Sequence, residues 1–62
     1  MDFTVTSHGS IFLLQPHTAA ALGWVAEHLP SEALTMGDAV VVEHRFIADI
    51  VIGIQADGLG VR

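Results

Sequence analysis

The chain has no cysteine. Disulfides, thiolate metal sites and a thiol nucleophile are excluded, and the absence fits a reducing compartment. Lysine is missing too, so Arg45 and Arg62 are the only fixed cations against seven acids, for a formal charge of −5 at pH 7. Affinity for phosphate backbones comes from clustered Lys and Arg that release counterions, so this balance argues against direct nucleic-acid binding. It argues equally against docking on anionic lipid. Long apolar runs are also absent. Ile50–Ile54 falls far short of the roughly 20 residues of a spanning helix. Met1-Asp2-Phe3-Thr4 lacks the basic n-region of a signal peptide, which leaves a cytoplasmic protein as the expectation.

What is present is apolar: 52% of 62 residues. That length allows one domain, residues 1–62. So small a chain buries only about 60% of the surface its unfolded form exposes, and it has no disulfide to compensate. Part of the apolar surface is then expected to stay exposed or to be covered by a partner.

Phe3–Thr6 alternates apolar and polar residues, as a half-buried strand does. Ser7-His8-Gly9-Ser10 has turn chemistry, and Ile11–Leu14 is apolar on both faces, so the two segments form a hairpin. Pro16 ends the second strand. Thr18–Leu29 reads as a helix, with Leu22, Val25 and Leu29 on one stripe and Pro30 as its stop. Trp24 falls beside that stripe and is placed at the core edge. Ser31–Leu34 has the composition of one more helical turn, and Met36-Gly37-Asp38 that of a turn. Ala39–Glu43 is a β-branched strand. Arg45–Ala56 reads as a second helix on the stripe Ile47, Ile50, Val51, Ile54, with a buried strand as the competing assignment. Arg45 and Asp49 are spaced to pair at i,i+4. Gly53 weakens this helix by about 1 kcal/mol relative to Ala.

The order predicts an α+β fold, β-β-α-β-α, with a three-stranded sheet and two helices on one face. A right-handed crossover through the first helix makes the strands it joins parallel. Phe12 and Leu14 are then expected on the open sheet face. With Ile52, which lies off its helix stripe, they form the candidate oligomer surface.

The chemical inventory is thin. His8, His17, His28 and His44 make no known metal spacing, and no cofactor is implied. Ser7, His8 and Ser10 share a loop without a carboxylate to orient the imidazole, so a nucleophilic site is not expected. The Gly58–Gly60 pair lacks the rest of any phosphate-binding pattern. Glu43-His44-Arg45 is the densest polar cluster and lies at a strand-to-helix junction. Its plainest role is a helix start with a surface ion pair.

The segments His8–Leu14, Trp24–His28, Val41–Ile50 and Ala56–Leu59 resemble small uncharacterised proteins encoded in bacterial chromosomes and mobile elements. The resemblance implies no activity. By analogy, a mobile-element setting favours small acidic proteins that bind host machinery, as anti-CRISPR inhibitors do. The expectation is a non-enzymatic module that docks on a basic protein surface, through Glu27, Glu32, Asp38, Glu43, Arg45 and Asp49. Its most concrete form is an inhibitor of a defence complex, with nucleic-acid mimicry as one route. A structural homodimer is the alternative, and a histidine-dependent nuclease is disfavoured for want of phosphate-binding cations.

Overall fold

Gly9 takes φ +68° while Ser10 stays at negative φ, so the chain reverses in a two-residue loop with glycine first. This is the turn whose twist matches that of paired strands. It joins β1 (Phe3–His8) to β2 (Ile11–Pro16) in antiparallel register, with His8 opposite Ile11 and Phe3 opposite Pro16. His8 is thus a strand residue and not part of the loop. The computed structural model describes all residues, Met1–Arg62. It continues with α1 (Ala19–His28), β3 (Thr35–Met36), β4 (Ala39–Glu43) and α2 (Ile47–Ala56).

The result is a small α+β fold with a four-stranded antiparallel sheet, in the order β1-β2-β4-β3. The sequence pattern predicts three strands and a parallel crossover pair. The short β3 accounts for both differences. Thr35–Met36 is a strand of two residues, too short to show alternation. It turns into β4 through Gly37 (φ +63°) and Asp38. That extra reversal brings β4 back antiparallel to β2, with Phe12 opposite Val42 and Leu14 opposite Val40. Ser31–Leu34 forms no helix and runs from α1 to β3; the Leu34 carbonyl accepts from Val41 N–H at 2.9 Å.

Burial decides which sheet face the helices cover. Phe3, Leu14, Val40 and Val42 are buried with Ala21 and Trp24 of α1 and Ile54 of α2. Leu14 is fully buried, so it belongs to the core and is not available as an oligomer surface. Phe12 shares its face, half-buried under a tilted His44 ring with centroids 5.5 Å apart. The open face instead carries Ile11, Leu13 and Val41. Because side chains alternate along a strand, an error of one residue exchanges the faces completely.

The α1 stripe departs from its prediction only at Leu22, since Val25 and Leu29 pack partly buried against the core. Leu22 is 58% exposed, while Ala21 and Trp24 face the core. Thr18 caps α1 by accepting from Ala21 N–H at 3.0 Å, a contact typically worth about 1 kcal/mol. In α2, Ile47, Ile50 and Val51 are half-buried and Ile54 fully buried, as the stripe predicts, and Ile52 is 63% exposed. The helix begins at Ile47, so Arg45 lies outside it. Arg45 therefore pairs with Glu43, Nε to Oε2 at 3.6 Å, and not with Asp49. Gly53 faces the Trp24 ring, where a Cβ would meet it at 3.4 Å, an ordinary van der Waals contact.

The segment after α2 runs parallel to β1 along its outer edge. Phe3 N–H donates to Gly60 O, Arg62 N–H to Phe3 O, and Val5 N–H to Arg62 O. Asp2 ties this segment to α1. One carboxylate oxygen accepts from Thr18 Oγ1 at 2.8 Å and the other from Gly60 N–H at 2.9 Å. No helix is long and apolar enough to cross a membrane.

Candidate functional site

Between α1, α2 and β4 the apolar interior opens into a cleft of about 480 Å³. Val40 and Val42 form its floor. They point toward the helices because they pair with Leu14 and Phe12 on the core face. Trp24, His28 and Leu29 make one wall; Phe46, Ile50 and Gly53 make the other. Pro30 and Ala33 border one end, and Glu43 and Asp49 supply the carboxylates of the lining.

The wall on the α1 side is fixed by three polar groups. Trp24 is only 8% exposed, and its indole Nε1–H donates to Asp57 Oδ2 at 2.7 Å. His28, one helical turn on, stacks on the indole with centroids 4.3 Å apart and planes 16° from parallel. Its Nδ1 lies 3.0 Å from the Trp24 carbonyl oxygen. A carbonyl can only accept, so Nδ1 carries a proton. Nε2 is left facing Asp57 Oδ2 at 3.7 Å. Asp57 thereby joins the end of α2 to the middle of α1. Phe3 completes the setting from below, edge-on to Trp24 at 6.0 Å.

The opposite wall is looser. Phe46 is an exposed aromatic at the N-cap of α2, a position with no side-chain cap. The Arg45 guanidinium lies over its ring at 4.9 Å and reaches Glu43. Asp49, in the first turn of α2, has no cationic partner within the chain and sits where the helix dipole favours negative charge.

The structure divides the acids expected to bind a partner. Glu43 and Asp49 meet at the cleft, with Arg45 beside them. Glu27 is on the exposed side of α1, Glu32 in the connection after it, and Asp38 in the β3–β4 turn. Asp38 and Glu43 stand at opposite ends of β4, about 16 Å apart at the usual rise per residue. The six residues do not form a single charged strip.

Sequence reasoning missed Asp57 and Phe46. Trp24 and His28 at i,i+4 were a legible signal for a stacked pair. Their link to Asp57, 33 residues along the chain, was not. No three His, Asp or Glu side chains converge as a metal-ligand set. His8 and Ser10 are exposed at the hairpin end with no carboxylate hydrogen-bonded to the imidazole.

No family model, no curated protein and no solved structure matches the chain.

Proposed function

We propose that this chain is a non-catalytic protein-binding module that receives an apolar side chain of its partner in the α1–α2 cleft. Asp49, which has no cationic partner within the chain, receives a Lys or Arg flanking that anchor. The observation behind this is the cleft itself. Above the nearly covered Val40 and Val42, half-buried Ile50 and exposed Phe46 border an open groove. Pockets that take buried anchors combine such an apolar lining with a few placed polar groups. A chain of charge −5 whose Arg45 is already engaged by Glu43 favours a cationic partner.

Inhibition of a defence nuclease complex is the narrower form of the same proposal, supported by size and acidity. The spread of Asp38 from Glu43 favours an ordinary protein ligand over mimicry of a nucleic-acid backbone.

The test is capture from nuclease-treated bacterial lysate, read by mass spectrometry, with wild-type bait beside Phe46→Glu and Asp49→Lys baits. The expected result is a species held by wild type, weakened by salt and lost from both variants. A species held equally by all three baits overturns the cleft as the docking site. Salt-insensitive capture removes the electrostatic part of the proposal.

A further inference from the structure

The sheet face turned away from the helices is a second surface, which meets the cleft only at the β4 residues Val41 and Glu43. Ile11, Leu13 and Val41 form its centre by register. Leu34, held opposite Val41, and Met36 extend it toward the β3 edge, 72% and 51% exposed. Its charge is unlike that of the rest of the chain. Of the seven acids only Glu43 holds a strand position on this face, at one end and already paired with Arg45, and His8 is the other titratable strand residue there. The register sets the two in one row: His8 opposite Ile11, and Ile11 opposite Glu43.

We propose that this face docks a second copy of the chain, sheet against sheet. A two-fold axis running along β2 places Ile11 against Ile11 and puts His8 of each copy opposite Glu43 of the other. The row is self-complementary under that operation, as a two-fold interface requires. The roughly 10 Å between packed sheets is filled by Leu13 and Val41 from both copies. The charge distribution selects this occupant. A basic partner finds here one carboxylate, already paired with Arg45, and binds better at the unpaired Asp49 of the cleft. A second copy, although it carries −5, keeps most of its acids away from this contact. The face offers about a dozen residues a side where stable complexes use roughly 20–30, so the dimer is weak, with a dissociation constant on the order of 100 µM.

Sedimentation velocity on the whole chain, from about 10 µM to about 1 mM, tests this around the expected dissociation constant. The expected result is a monomer that converts to a dimer with concentration. Leu13→Glu should raise the dissociation constant at least about tenfold by placing carboxylates against each other across the axis. Leu34→Glu, at an exposed edge position, should act in the same direction and keeps the test open if the first variant does not fold by far-UV circular dichroism. His8→Glu should weaken association and His8→Glu with Glu43→His should restore it. A monomer at every concentration overturns the proposal. So does a dimer indifferent to the Leu13 and Leu34 variants, or one abolished by Phe46→Glu instead, which would put the contact at the cleft.

Discussion

Asp57→Ala removes the only side-chain acceptor of the Trp24 indole N–H and the carboxylate facing His28. Hydrogen bonds to charged groups contribute about 1.5–3 kcal/mol when shielded. The Asp57 side chain is 52% exposed, so solvent screens part of this and water replaces part of the lost contact. A cost of about 1–1.5 kcal/mol remains, because the indole itself is nearly buried. In a domain of this length, 1 kcal/mol moves Tm by about 4–8 °C. Thermal unfolding by far-UV circular dichroism should therefore show a drop of roughly 5–10 °C. Asp57→Asn, which keeps an acceptor oxygen, should lose less than half as much. Trp24 is the only tryptophan, so its emission reports the same site in the folded state. It should shift in Asp57→Ala. A Tm within a degree or two of wild type, with unchanged emission, would refute the view that this bond holds the two helices together.

Two further outcomes follow from other parts of the fold. Leu14→Ala should cost about 2–5 kcal/mol in urea unfolding and Leu13→Ala under about 1.5, because only the former leaves a cavity in the core; equal costs would mean the sheet faces are assigned wrongly. The Asp2 carboxyl is held below its usual range, mainly by the Gly60 N–H and then by the Thr18 hydroxyl, aided by the N-terminal charge and opposed by burial. A depressed folded value means stability present above the ordinary carboxylate range and lost as pH falls through that range toward the folded value. Melts from pH 7 down to about pH 3 should thus show a smaller acid loss in Asp2→Asn than in wild type, and parallel curves would contradict the assignment.

Legibility in the sequence followed the length of each pattern. The α2 stripe spans two turns and was read correctly from Ile47 to Ile54. The hairpin was legible from alternation in Phe3–Thr6 and the turn residues around Gly9, and β4 from its β-branched run. Thr35–Met36 was not, since two residues carry no period, and its omission reversed the inferred direction of β4. Ile11–Leu14 is apolar at every position, so nothing in it says which alternate residues face inward. Only pairing with β4 does. In α1 the predicted stripe holds at Val25 and Leu29 and fails at Leu22, while the core also takes Ala21 and Trp24, the latter fixed by its bond to Asp57 just past α2. The site divides the same way. Glu43 and Asp49 were in view from charge alone, while the cleft they border depends on how two helices stand on a sheet.

The segment Gly60–Arg62 lies beside β1 and runs in the same direction, bonded to it three times. Tension applied at Met1 and Arg62 would pull these two strands along their length in opposite senses. All three bonds then resist together, in shear, where antiparallel neighbours pulled from one end would open one bond at a time. The domain should resist stretching through its ends more than its size suggests, with the rate of forced unfolding set by that short contact.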